Sequence, residues 1–142
     1  MTDSKFIPGT PQRLIHVALR EIGEKIAAFY TYTSPLFGTS YIDAPVCDIK
    51  SDRPTYTLYV LDFASTLNGW TIEGMELSDV ATGLTWQSGP DNMSIQVFNP
   101  YTDSSSVHNF TIIYTNKNYH NGRPVPIDPQ EGNIPRLFPD PR

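Results

Sequence analysis

Short runs of alternating apolar and polar residues dominate the chain. In residues 13–19, Ile15, Val17 and Leu19 fall on one face of an extended chain, and His16 and Ala18 fall on the other. Alternation with a period of two is typical of a strand with one buried face. Similar β-favouring runs occupy residues 55–62, 70–77, 83–87, 93–97 and 108–115. With Gly and Pro between the runs, the pattern predicts an all-β, immunoglobulin-like antiparallel sandwich of about seven to eight strands, with at most a short helix.

Three local features refine this prediction. After residue 19 the apolar spacing also fits a helix, but the β-favouring residues 29–33 follow at once. A hairpin that turns near Gly23 is therefore the favoured interpretation. Gly74 would mark a β-bulge within its strand. A further strand is predicted over residues 41–49, where Pro45 would restrict it to a sheet edge.

The composition changes after the turn signal Asn121-Gly122. The last part of the chain carries prolines at positions 124, 126, 129, 135, 139 and 141. Because Pro cannot donate a hydrogen bond to a ladder, this segment is predicted not to form a central strand. It is either an extended arm or a disordered tail, and its embedded apolar residues, such as Ile127 and Ile134, favour an arm that covers a sheet edge.

These patterns predict three parts of the chain. Residues 1–12 are expected to form a flexible N-terminal segment, residues 13–122 the sandwich domain, and residues 123–142 the Pro-rich C-terminal arm. A chain of 142 residues fits one domain of ordinary size.

The charge and the N-terminus restrict the partners and the compartment. A formal net charge of -5 argues against nucleic acid as a partner. The first residues lack the apolar core of a signal peptide, and no apolar run reaches the length of a membrane span. We therefore expect a cytoplasmic protein that engages no membrane.

Catalytic and metal-binding signatures are weak. His16, His108 and His120 lie far apart in the sequence, so neither a metal site nor any cofactor is predicted. Cys47 has no neighbouring group that would activate it, and it is expected to be a buried, inert thiol. The carboxylates are scattered. A hydrolase would have to pair carboxylates from separate strands, which remains open as one alternative.

The aromatic residues suggest a different chemistry. Rings that are exposed can stack on the C–H faces of sugars while their polar atoms stay hydrated. Tyr101, in the loop after residue 99, and Tyr119 are expected to be the most exposed rings. They are the candidate ligand-facing aromatics of a carbohydrate- or small-molecule-binding module.

Several short segments between residues 13 and 136 occur in an order that resembles a known family. The segments are 14–19, 28–32, 56–61, 63–74, 94–99, 109–114 and 128–136. Together they resemble the DP-EP family of small bacterial proteins and, more loosely, inclusion-body proteins of the AidA/PixA type. Asp128-Pro129 matches the Asp-Pro of the family, and Ile134-Pro135 stands where the family has Glu-Pro. The resemblance implies an immunoglobulin-like sandwich and brings no catalytic residue.

The sequence therefore predicts a non-enzymatic domain that acts by protein binding or by self-association into a homo-oligomer. Open sheet edges and an apolar, Pro-rich arm are suitable contact surfaces. The alternatives are a sugar-binding module that uses exposed aromatics and, in another class, the hydrolase with carboxylates from separate strands.

Overall fold

The computed structural model describes residues 12–33, 38–77, 83–102, 105 and 107–135. Within these ranges the chain forms eleven strands and one short α-helix, α1, over Phe63–Leu67. The strands are β1 Gln12–Ile22, β2 Lys25–Thr33, β3 Ser40–Ala44, β4 Asp48–Ser51, β5 Thr55–Leu61, β6 Trp70–Leu77, β7 Thr85–Ser88, β8 Ser94–Asn99, β9 Val107–Asn116, β10 Val125–Ile127 and β11 Gln130–Asn133. The predicted all-β class with a short helix is confirmed.

The strands form two sheets. The first sheet has the order β3-β2-β1-β5-β8-β7. In the second sheet, β9 pairs with β6 along one side and with β10 and β11 along the other, and β4 lies beyond β11. Among the described strands, β1 with β5 and β11 with β4 are the parallel pairs, and the other pairs are antiparallel.

Alternation of side chains builds one core between the two sheets. Ile15 and Val17 on β1 are fully buried, as are Ile112 and Tyr114 on β9, whereas the residues between them are more exposed. Because successive strand residues point to opposite faces, each sheet presents one apolar face to the other. Most of the buried apolar residues of both sheets belong to a single hydrophobic cluster.

Two local predictions are confirmed. β1 and β2 form a hairpin, and Gly23 in its turn has a φ of 65°, a left-handed conformation that glycine adopts without steric cost. The pairing of β6 with β9 shifts its register between Ile72 and Gly74, which is the bulge expected at Gly74.

The structure corrects the expected number and pairing of strands. The additional strands are short and carry little alternation, so a periodic pattern does not reveal them. The single strand predicted over residues 41–49 is two strands, β3 in the first sheet and β4 in the second. Pro45 lies between them and lacks a backbone N–H, so the ladder ends there and the chain crosses to the other sheet. The parallel pairs differ from the antiparallel sandwich that was expected.

The predicted C-terminal arm is part of the second sheet as far as the structure describes it. β10 pairs with β9, and β11 lies between β9 and β4, so residues 130–133 form a central strand. The expectation that this segment could not be a central strand is wrong, because its prolines flank β11 at Pro129 and Pro135 instead of interrupting it. Residues 136–142 of the arm and residues 1–11 of the N-terminal segment lie outside the described residues, and residue 12 begins β1.

The strand directions define two ends of the sandwich. β1 places Arg13 at one end and Glu21 at the other, and the parallel neighbour β5 runs the same way. We call the end that holds Arg13, Ser51, Asn99 and Asn133 the closed end. We call the end that holds Glu21, Trp70, Asn116 and Tyr119 the open end.

Candidate binding sites at the ends of the sandwich

Buried polar side chains fill the closed end. The guanidinium of Arg13 donates to the carbonyl oxygen of Lys50 at 2.8 Å and to the hydroxyl of Ser51. Nearby, the Asn99 side chain donates from Nδ2 to Oδ1 of Asn133 at 2.8 Å. Arg13, Ser51 and both asparagines are buried. Since Arg13 pairs with β4 and Asn99 with β11, these hydrogen bonds join the two sheets at this end.

Tyr101 belongs to the closed end. Its hydroxyl donates to the carbonyl oxygen of Ile134 at 2.6 Å, and its backbone N–H donates to Oδ1 of Asn99 at 2.9 Å. Ile134 in turn donates its N–H to the carbonyl oxygen of Ser51. Tyr101 is therefore half-buried, and its hydroxyl is used within the protein, although the sequence suggested an exposed, ligand-facing ring.

The Asp-Pro motif supports the second sheet. The carboxylate of Asp128 accepts a hydrogen bond from the Thr111 hydroxyl on β9 at 2.6 Å. Pro129 is buried next to it, whereas Pro135 beyond β11 is exposed. The motif therefore joins β10 to β11 along the side of β9.

Glu131 is a fully buried carboxyl group in the central strand β11. The Tyr59 hydroxyl donates to its Oε2 at 2.9 Å. Burial raises the pKa of Glu131, and Arg13 and the hydrogen bond from Tyr59 offset only part of that effect. Burial thus disfavours the charged form relative to an exposed carboxyl group. Glu131 lies in the core, not at a surface where it could reach a substrate.

Cys47 is buried, as predicted, and its thiol is free. Burial raises the pKa of this thiol, so the reactive thiolate is disfavoured. In the part of the chain that the structure describes, no three His, Cys, Asp or Glu side chains converge to hold a metal ion. His16 is exposed on β1 and His108 is buried on β9, and the side chain of His120 lies outside the described residues.

The open end contains a cleft of about 430 Å³ between the two sheets. Leu19 and Glu21 of β1 border it from the first sheet, and Trp70 borders it from β6. The turn after β9 adds Asn118 and Tyr119. Glu21 is the one carboxylate in the described lining, so the paired carboxylates of a hydrolase do not occur in this cleft.

The short helix α1 ends next to the cleft, which Asn68 borders. Asp62 caps the helix by accepting a backbone N–H of its first turn at 2.9 Å. Asn68 follows the helix, and its carbonyl oxygen accepts a hydrogen bond from the Asn116 amide at 2.8 Å. Gly69, the next residue after Asn68, has a φ of 97°, and a Cβ at this position would lie 3.0 Å from Oδ1 of Asn116. A glycine is needed for this close approach.

Tyr119 is the predicted aromatic that does border the cleft. It is half-buried, its ring centroid lies 5.6 Å from that of Trp70, and its hydroxyl donates to the carbonyl oxygen of Glu24 at 3.2 Å. The two candidate aromatics thus lie at opposite ends of the molecule. Sequence reasoning missed Glu21 and Asn118, which are distant in the chain and carry no local motif.

No protein-family model matches this chain, and no curated protein is significantly similar to it. The resemblance to the DP-EP family therefore stays a prediction. In the described residues, no helix has the length and apolar character needed to cross a membrane.

Proposed function

We propose that the protein is a non-catalytic domain that associates with a second copy of itself through the edge strand β7. The observation that carries this proposal is the outer edge of β7 at one border of the first sheet, where β8 is its one strand partner among the described residues. Its four residues are all exposed and none carries a charge. Its pairing with β8 runs without a register shift. Such a regular, uncharged edge offers backbone hydrogen-bonding groups to another strand.

The other described edge strands each carry a feature that opposes such pairing. On β3, Asp43 has a φ of 50°, and the register with β2 breaks. β4 carries the charges of Asp48 and Lys50, and β6 carries two glutamates and a bulge. β10 contains Pro126, which lacks a backbone donor. Charge, bulges and proline are the usual means by which proteins protect an edge, so β7 is the favoured contact strand.

Trp86 in the middle of β7 adds an apolar anchor. Its indole lies against Gly74 of β6, where an added Cβ would be 3.3 Å from the ring, and 41% of the residue remains exposed. A two-fold axis normal to the sheet and passing beside Trp86 makes the two β7 strands antiparallel and brings the two indoles opposite each other. Cross-strand aromatic pairs stabilise antiparallel ladders, and the remaining exposed surface of each ring becomes buried.

The short length of β7 sets the expected strength of association. A contact built on four residues of each copy is smaller than the interfaces of stable complexes, which bury about 1,200–2,000 Å². We therefore expect a reversible dimer whose population rises with protein concentration, not an obligate one.

Sedimentation velocity over a concentration series tests this proposal. The wild-type protein should shift from monomer to dimer, and Gln87→Lys should stay monomeric because a lysine on each edge opposes strand pairing. Gln87 is exposed, so the melting temperature should not change. Ile42→Lys on β3 is the matched control and should dimerise like the wild type. A monomeric wild type, or dimerisation that Ile42→Lys abolishes and Gln87→Lys leaves intact, would contradict the proposal.

A further inference from the structure

No residue of β7 is among the described residues that border the cleft at the open end. Its volume of about 430 Å³ lies within the range of roughly 300–1,000 Å³ that is usual for small-molecule sites. Its lining comes from both sheets, since Leu19 and Glu21 belong to β1 and Trp70 belongs to β6. The core packing of the sandwich therefore holds its walls in place without a ligand.

The cleft combines an aromatic surface with a rigid support. The rings of Tyr119 and Trp70 lie 5.6 Å apart with an interplanar angle of 44°, and Trp70 is buried. The hydrogen bond from the Tyr119 hydroxyl to Glu24 fixes the far edge of the tyrosine ring. A fixed phenol ring is a suitable stacking surface for the C–H face of a sugar.

The polar side chains at the cleft can form hydrogen bonds with a ligand, and they carry no excess of positive charge. Glu21 has no ion-pair partner among the described residues, so its two oxygens can accept hydrogen bonds from hydroxyl groups. The Arg20 guanidinium, which also borders the cleft, is engaged by Asp43 at 3.1 Å and lies over the Phe29 ring. An anionic ligand would meet an unpaired carboxylate here, which disfavours phosphates and carboxylates.

We propose that the open-end cleft is a binding site for a neutral saccharide. Tyr119 stacks on the apolar face of the sugar, Glu21 accepts hydrogen bonds from its hydroxyls, and the Asn118 amide supplies a donor and an acceptor beside them. An aromatic surface next to one carboxylate and one amide matches the alternating C–H and O–H groups of a neutral sugar ring.

A ¹H–¹⁵N NMR titration of the full chain with neutral mono- and disaccharides tests this site. The probes are glucose, galactose, mannose, N-acetylglucosamine and their disaccharides, with glucose 6-phosphate as the anionic probe. At least one neutral sugar should shift the resonances of Glu21, Asn118, Tyr119 and the Trp70 indole. Tyr119→Ala should weaken binding about tenfold, and Glu21→Gln, an exposed and conservative change, should weaken it several-fold. Tyr41→Ala removes an exposed ring outside the cleft and should leave binding unchanged.

Three results would overturn the inference: no neutral sugar shifts the cleft resonances, glucose 6-phosphate binds more tightly than the neutral sugars, or Tyr41→Ala weakens binding as much as Tyr119→Ala. Repeating the titration with Gln87→Lys separates the two proposals. The saccharide site should be retained in this variant even where dimerisation is lost, and it should be retained if the wild type proves monomeric.

Discussion

The two ends of the sandwich use polar residues in opposite ways. At the closed end, polar side chains from both sheets are buried and bond to one another, as Arg13 does with Ser51 and Asn99 with Asn133. At the open end, Glu21 and Asn118 stay exposed beside a cleft. A buried polar group must be paired within the protein, whereas an exposed one keeps its capacity for a ligand. The buried groups of the closed end therefore stabilise the fold, whereas the exposed groups of the open end keep their capacity to form hydrogen bonds with a ligand.

The largest difference in stability is expected between substitutions of two charged residues of β1. Arg13→Ala removes the donors to Lys50 and Ser51, and each acceptor that loses its partner costs about 1–3 kcal/mol, so the free energy of unfolding should fall by about 2–6 kcal/mol. Glu21 on the same strand is exposed, so Glu21→Ala should change the free energy of unfolding by less than about 0.5 kcal/mol. Chemical denaturation of both variants measures the difference. Equal losses of unfolding free energy in the two variants would contradict the proposed difference between the two ends.

The next effect concerns the amides of the two ends. Asn99→Ala removes the donor to Oδ1 of Asn133 and the acceptor of the Tyr101 N–H, which should cost about 1–3 kcal/mol. Asn118→Ala, at the exposed turn beside the cleft, should cost less than about 0.5 kcal/mol. A double-mutant cycle of Asn99→Ala with Asn133→Ala should show coupling between the two sites. Strictly additive losses would contradict the hydrogen bond as the source of this effect.

A pH dependence distinguishes the buried carboxyl group from exposed ones. Burial raises the pKa of Glu131 above its ordinary value of 4.5, so its contribution to the free energy of unfolding is fully present below pH 4.5. This contribution is lost as the pH rises through the raised pKa. Glu131→Gln keeps an oxygen that can accept the Tyr59 hydrogen bond but does not ionise. The melting temperature of the wild type should therefore fall relative to that of Glu131→Gln as the pH rises. Glu73 is exposed, so the melting temperature of the control Glu73→Gln should change with pH as that of the wild type does. A difference in melting temperature between the wild type and Glu131→Gln that stays constant at all pH values would contradict this account.

The smallest difference in stability is expected between removal of one and of the other tyrosine hydroxyl. Tyr101→Phe removes a hydrogen bond of 2.6 Å to the Ile134 carbonyl at the closed end and should cost about 1 kcal/mol. Tyr119→Phe removes a longer, solvent-exposed bond of 3.2 Å to Glu24 and should cost only a few tenths of a kcal/mol, about the least that such a bond contributes. Thermal and chemical denaturation of the two variants side by side test this order. The reverse order, with the larger loss for Tyr119→Phe, would contradict the greater contribution of the closed end to stability.

Much of the fold was predictable because it depends on local periodicity. The alternation of Ile15, Val17 and Leu19 predicted β1 and its buried face, and the glycines at 23 and 74 marked the hairpin turn and the bulge. The short strand β11 was not predictable, because its prolines suggested an arm and its pairing partners lie far away in the sequence. Tyr119 was found as a candidate from its residue type alone, and nothing local distinguished it from Tyr101.

The sequence by itself determined the all-β class and the positions of the long strands, since these follow from periodicity and turn residues. Only the tertiary structure decided which residues meet. Strand order brings Glu21, Trp70 and Tyr119 to one end and Arg13, Asn99 and Asn133 to the other, and it leaves β7 at a border. The physical reason is that strand pairing is non-local: side-chain period specifies which face is buried, but it does not specify which distant strand will be the neighbour.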